Sequence, residues 1–348
     1  MALQLGLDTF GDITRDADGT VRSHAQVIRD VIAEAELADR VGVAFFGVGE
    51  HHRADFAISA PEVVLAAIAA RTERIRLGSA VTVLSSDDPV RVFQRFATLD
   101  AVANGRAEII VGRGSFTESF PLFGLPLEAY ELLFEERLEL LVQLLTQEAV
   151  TWRGQTRGPL VAQRVYPTVE RTPLTTWVGV GGSPKSVVRA ARHGLGLMLA
   201  IIGGDPRRFV PYVELYHRSL GEFGRPVLPV GMHSPGFVAD TDAAARETFW
   251  PPFREMMARI GAERGWAPMS RGQFDHECEH GSLYVGSPDT VAQRIAATVG
   301  ALGVQRFDLK YSAGTLPHDA LLRCIDLYGT AVIPRVHALL DPTTAGSP

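Results

Sequence analysis

The sequence predicts an α/β chain folded as a closed parallel (β/α)₈ barrel, a TIM barrel, with insertions at the C-terminal face of the strands. Three observations carry this. Eight short apolar stretches alternate with amphipathic helical ones. No long linker interrupts the alternation, which suits one closed sheet better than an open one. The chain has 348 residues, 46% of them hydrophobic. That is enough for a single barrel domain over 1–340 with a large core, leaving 341–348 as a disordered tail.

The elements follow in order. Strands are expected at 3–8, 44–50, 75–84, 107–111, 175–180, 197–202, 227–233 and 306–311. Helices are expected at 22–40, from Ser59-Ala-Pro61, from Asp88-Pro89, at 127–146, 183–193 and 242–264, from Ser287, and at the C-terminus to about His337. Ser59 is read as a cap with Pro61 in the first turn. The Gly-, Pro- and Arg-rich stretch 152–170 reads as an inserted hairpin or loop, and 265–284 as irregular and polar.

Composition excludes several classes. With 34 Lys and Arg against 40 Asp and Glu, the net charge is −6, and no basic run offers phosphates a patch, so nucleic acid is not the expected partner. Cys278 and Cys324 lie far apart outside any CxxC, which argues against a disulfide framework and for a reducing cytoplasm. Residues 1–8 lack a basic n-region and cleavage pattern, and the longest apolar run, 195–202, is too short for a bilayer.

In a parallel barrel, chemistry collects at the C-terminal ends of the strands. Those ends carry Asp8-Thr-Phe10, Glu50-His51-His52, Ser79-Ala80, Arg113, Gly181-Gly182-Ser183, His233 and Lys310. Adjacent strand residues face opposite ways, so only one of His51 and His52 is expected in the mouth. It would act as a general acid/base near neutral pH, its tautomer fixed by the other histidine or by Glu50.

The best cofactor signal is Gly181-Gly182-Ser183-Pro-Lys-Ser186. Glycines let backbone approach a ligand, and the helix N-terminus that follows favours an anion. Gly286-Ser-Pro-Asp289 opens a helix in the same way but puts an acid where Lys185 stands, so it reads as plain capping. Arg113, between Gly112 and Gly114, would add a bidentate donor to the same phosphate. The segment Asp275-His-Glu-Cys-Glu-His280 has metal-site composition, and as a strand would put His276, Cys278 and His280 on one face. With no second ligand cluster, a polar loop or mobile lid is the preferred reading and no metal is expected.

Several segments together resemble one family: Val48-Gly-Glu-His-His-Arg53, Ile75-Arg-Leu-Gly-Ser-Ala-Val-Thr-Val-Leu84, Asp88-Pro-Val-Arg91, 99–114, Gly181-Gly-Ser-Pro, 231–242 and 284–291. In this order they resemble the flavin-dependent, bacterial-luciferase-like monooxygenases. The resemblance implies FMN at the barrel mouth, its ring near His51. It also implies that Ser79 and Ala80 run beneath the ring, often through a non-prolyl cis peptide. Arg113, Gly114, Gly181, Gly182, Ser183 and Ser186 would hold the phosphate. Gly112 stands where luciferase has a cysteine, so light emission is not implied. The implied chemistry is activation of dioxygen by reduced flavin and oxidation of an organic substrate, with water excluded. His51 would manage the proton on the activated oxygen or the substrate, with Glu50 and His52 beside it. The regions 116–123 and 265–284 would serve as lids. A partner reductase would supply reduced FMN, and a homodimer is the expected assembly. Three rivals stay open: a deazaflavin-dependent dehydrogenase on the same fold, a metal-dependent barrel hydrolase using Glu50, His51 and His52 or the 276–280 cluster, and a non-catalytic ligand-binding barrel.

Overall fold

The computed structural model describes residues 3–16, 18–114, 116–170 and 173–341. Eight parallel strands close on themselves: β1 (Gln4–Thr9), β2 (Phe45–Val48), β3 (Arg76–Ser79) with its continuation β4 (Thr82–Val83), β5 (Ala107–Gly112), β8 (Thr176–Val180), β9 (Gly196–Ala200), β10 (Val230–Val238) and β12 (Arg306–Lys310). Pairing of β9 with β10 and of β12 with β1 completes the ring. The protein is a TIM barrel. Strand three, expected as one run over 75–84, is divided at a cis Ala80–Val81 bond.

Helices α1 (His24–Arg40), α2 (Pro61–Ala69), α3 (Pro89–Val102), α5 (Tyr130–Thr146), α6 (Pro184–His193), α7 (Val210–Glu222), α10 (Pro288–Leu302), α11 (His318–Leu327) and α12 (Ile333–Leu340) cover the outside. Each starts where the chemistry allows. Asp88 caps α3 through Val90 N at 2.9 Å, with Pro89 in the first turn. In α2 the cap is Ala60, whose side chain cannot accept a bond, so Ser59 does not cap; Pro61 alone sets the first turn. Val27, Val31, Ala35 and Ala38 form the buried stripe of α1 at helical spacing.

Three insertions interrupt the repeat. A short helix α4 (Ser119–Leu122) follows β5, and α8 (Asp242–Arg264), α9 (Arg271–His280) and β11 (Tyr284–Gly286) follow β10, all at the C-terminal face. The third, the antiparallel hairpin β6 (Val150–Trp152) and β7 (Leu160–Gln163), lies between α5 and β8 and so enters from the N-terminal face. It climbs the outside, where Arg157 reaches Asp88 at 2.7 Å.

The expectation of irregular chain over 265–284 is overturned by α9. Ser270 and Gln273 form a reciprocal capping box. Only Phe274 and Cys278 of this helix are buried, so its apolar periodicity is too thin to read. Residues 342–348 lie outside the described residues. Among those described, no helix is long and apolar enough to cross a membrane.

The lower barrel is plugged rather than hollow. Phe45, Ile110, Trp177 and Met198 pack together, and the Arg306 guanidinium lies 3.4 Å from the Phe45 ring centroid. Arg306 is paired with Glu108 at 2.7 Å and Asp308 at 2.8 Å, and Trp177 Nε1 donates to Glu108 at 3.0 Å. Breaking such a buried pair costs about 3–5 kcal/mol. The upper mouth is therefore the place to look for a site.

Candidate active site

Small residues let the strand ends and the segment after β3 pack closely on one side of the mouth. A Cβ on Gly47 would stand 2.9 Å from Ala80 Cβ, and one on Gly112 would stand 2.7 Å from Val81 Cγ2. Gly112 is thus the residue that lets Val81 sit inside the barrel. The cis bond lies one residue beyond Ser79–Ala80, at Ala80–Val81. Ser79 is fully buried, and its hydroxyl both donates to Ile110 O at 3.0 Å and accepts from Ile110 N at 3.2 Å. Its side chain is committed to joining β3 and β5.

The Glu50-His51-His52 segment divides. His52 Nε2 pairs with Glu50 Oε1 at 3.0 Å, and Glu50 Oε2 accepts from Val83 N at 2.8 Å. These two tie the end of β2 to β4, with Phe123 edge-on to His52 at 5.2 Å. His51 points elsewhere, into a cage of Phe56 at 4.4 Å, Phe10 at 4.6 Å and Phe116 at 5.4 Å. Glu50 does not touch His51, so it does not fix that tautomer. Burial pushes the His51 imidazole down to about 3, with Asp12 pulling the other way. It is neutral at physiological pH, which corrects the expectation of titration near 7. A neutral imidazole still donates at one nitrogen and accepts at the other.

Above the cage, Arg53 pairs with Glu118 beside α4 and with Asp55, and its Nη1 donates to Glu263 of α8 at 2.8 Å. Its guanidinium also lies 4.6 Å from the Phe116 ring centroid. This one arginine ties the two C-terminal insertions together over His51.

Across the mouth, Arg113 and the turn before α6 meet at one carboxylate. Glu131 of α5 pairs with Arg113, with Arg189 at 3.1 Å and with Lys185 at 3.7 Å. Gly114 adopts φ +76°, and its carbonyl accepts from Tyr130 Oη at 2.7 Å. Gly182 adopts φ +110°, its carbonyl held by Tyr212 Oη at 2.9 Å. Ser183 occupies the cap position but makes no capping hydrogen bond. Ser186 is buried, 3.5 Å from Arg189 Nη1. The comparison helix is already satisfied: Ser287 caps α10, and Asp242 accepts from Ser287 N at 2.6 Å and from Thr290 Oγ1 at 3.0 Å. Arg113, Lys185, an uncapped helix start and open space beside Gly181 form a donor set that suits a phosphate group, with Arg189 buried behind them and also paired with Glu135 at 2.5 Å.

Sequence reading missed two buried polar pairs at the mouth. Asp8 on β1 meets His233 on β10 at 2.6 Å, and Asp12 meets Lys310 on β12 at 2.7 Å. Their partners are 225 and 298 residues apart, so only the closing of the barrel brings them together. Their places at strand ends were the available signal. The metal readings lose their geometry. His51 turns away from Glu50 and His52, and on helix α9 His276 and His280 share a face while buried Cys278 faces the core. Among the described residues no group of three metal-ligating side chains converges.

The comparisons agree with this architecture. Among curated relatives, 4-hydroxyprotoasukamycin monooxygenase of Streptomyces nodosus subsp. asukaensis is 38% identical, over 89% of this chain and 87% of its own length. Limonene 1,2-monooxygenase of Rhodococcus erythropolis is 36% identical, over 89% and 82%. A monooxygenase structure from Streptomyces bottropensis superposes with TM-score 0.81 at 25% identity, covering 95% of this chain and 99% of that one. At 20% identity the fold alone is shared by two others: the oxygenating constituent of 3,6-diketocamphane monooxygenase of Pseudomonas putida in complex with FMN, and the coenzyme F420-dependent tetrahydromethanopterin reductase of Methanopyrus kandleri. Their TM-scores are 0.75 and 0.72, with 97% of this chain covered in both cases and 99% and 100% of theirs. The model of the luciferase-like monooxygenase family matches residues 10–306, and this chain belongs to that family.

Proposed function

We propose that this chain is a flavin-dependent monooxygenase that uses reduced FMN and dioxygen to oxidise a small organic substrate. The observation that carries the reading is the pairing of a cationic phosphate cradle on one side of the mouth with an aromatic cage around half-buried His51 on the other. Arg113, Lys185, Gly181, Gly182, Ser183 and Ser186 would hold the phosphate, with Arg189 behind them. Reduced flavin bound there supplies the two electrons that dioxygen needs beyond those taken from the substrate. Phe10, Phe56 and Phe116 keep water from the reacting oxygen. Neutral His51 offers one hydrogen bond to that oxygen or to the substrate without bringing a charge into the cage.

Coenzyme F420 would find the same donors. The identity of the relatives favours FMN, because the chains at 38% and 36% identity are monooxygenases, while the F420 enzyme shares only the fold. A partner reductase is our proposed source of the reduced FMN. A homodimer is supported by Leu122, Phe123, Leu127 and Leu132, exposed around α4 and the start of α5. The test is incubation with reduced FMN and ¹⁸O₂ over a panel of apolar olefins, ketones and thioethers. We expect one labelled oxygen per product molecule. Products formed without label, or only when F420 replaces FMN, defeat the reading.

A further inference from the structure

His233 and Asp8 form a buried hydrogen-bonded pair whose role the reading above leaves unassigned. His233 Nδ1 lies 2.6 Å from Asp8 Oδ2. Asp8 is 1% exposed, and its Oδ1 is buried with no hydrogen-bond partner. A buried carboxylate with one partner requires a countercharge from that partner. Lys310 is no substitute, since its Nζ is held by Asp12 and by the Ser312 carbonyl and hydroxyl. The other groups facing the imidazole are Asp308, its register partner on β12, and Phe10, stacked at 6.0 Å. That same Phe10 is in contact with His51, so His233 stands at the edge of the cage. With Nδ1 given to Asp8, Nε2 has no hydrogen-bond partner among the described residues and is free to meet a reactant.

We propose that His233, oriented by Asp8, is the acid of this site and gives its Nε2 proton to the oxygen atom that leaves as water. The inference rests on the monooxygenase reading and adds to it the group that supplies the proton. The balance requires one. Substrate S–H, dioxygen, the reduced flavin anion and one proton give S–OH, water and oxidised flavin. The flavin and the substrate each lose two electrons, and dioxygen gains four. One oxygen atom forms the new bond to the substrate and the other departs in water, after which His233 regains its proton from solvent. Electrostatics agree with the geometry. Burial is the largest effect and opposes protonation of His233, yet Asp8 and Asp308 outweigh burial and Lys310 and raise its pKa from the ordinary histidine value. His51, held neutral, could not do this.

The test begins with ¹⁵N-resolved imidazole NMR on the full chain without flavin. His233 should carry two protons at pH 7, and Asp8→Asn should move its titration to lower pH. With FMN and a turnover substrate, His233→Gln should lower kcat by about 10²-fold while FMN binding holds. In Asp8→Asn the alkaline limb of kcat should move to lower pH along with the NMR titration, a shift that loss of packing alone would not produce. A neutral His233 at pH 7 in a chain that binds FMN overturns the pair alone. So does an alkaline limb that stays in place when Asp8 is replaced. A wild-type chain that binds no FMN overturns the reading beneath it.

Discussion

Replacing Glu131 by Gln should tighten FMN binding. Its carboxylate is the shared partner of Arg113, Lys185 and Arg189, so it competes with a phosphate for those cations. The Glu131 side chain is 48% exposed, so water screens it. A contact between unit charges is then worth about 1 kcal/mol, or about fivefold in Kd. Arg113→Ala should do the opposite, since losing a charge-assisted contact costs about 1.5–3 kcal/mol, about 10- to 150-fold in Kd. Quenching of flavin fluorescence at low salt measures both variants. Raising the ionic strength should shrink the Glu131→Gln gain, as the exposed charges are screened. Riboflavin, which lacks the phosphate, provides the control and should bind all three proteins alike. Glu131→Gln binding FMN more weakly than wild type, or shifting riboflavin as much as FMN, would refute the placement of the phosphate.

Three further outcomes follow from the same geometry. Gly112→Ala puts a Cβ 2.7 Å from Val81 Cγ2 and should cost about 1–3 kcal/mol by overpacking; urea midpoints read this, and adding Val81→Ala should restore most of the loss. His51 has a folded value of about 3 against 6.5 unfolded, so the unfolded chain binds more protons between those values. Its contribution is full above 6.5 and is lost as pH falls towards 3, by at most about 1.4 kcal/mol per pH unit. His51→Gln should therefore flatten the acid side of the stability profile by about one proton, and an unchanged slope would contradict the burial argument. Arg53→Ala removes the pairs to Asp55, Glu118 and Glu263. Amide exchange across 116–122 should quicken, and more oxygen should be lost as free hydrogen peroxide; protection equal to wild type would count against the tie.

Much of the barrel was legible because its signals are local. Asp88-Pro89, Ser287-Pro288 and the apolar stripe of α1 each state their structure within a few residues. The turn into α6 was legible for the same reason, since Gly181 to Pro184 is one continuous stretch that opens the helix. Helix α9 was hidden because its cap is strong but its apolar face has only Phe274 and Cys278. Neighbouring residues also misled. Glu50, His51 and His52 adjoin in sequence, yet the end of the strand sends His51 into the mouth and turns Glu50 and His52 to Val83. Asp8 and His233 were visible as strand-end residues, but their pairing was not, because they meet only across strands joined by barrel closure.

The most direct test of the central claim is a spectrum of the chain mixed in parallel with FMN and with coenzyme F420, each then reduced and exposed to air. The account predicts that FMN binds with a perturbed spectrum, depends on Arg113, and is rapidly reoxidised by oxygen. A chain that ignores FMN, binds F420 and keeps it reduced in air would contradict the claim.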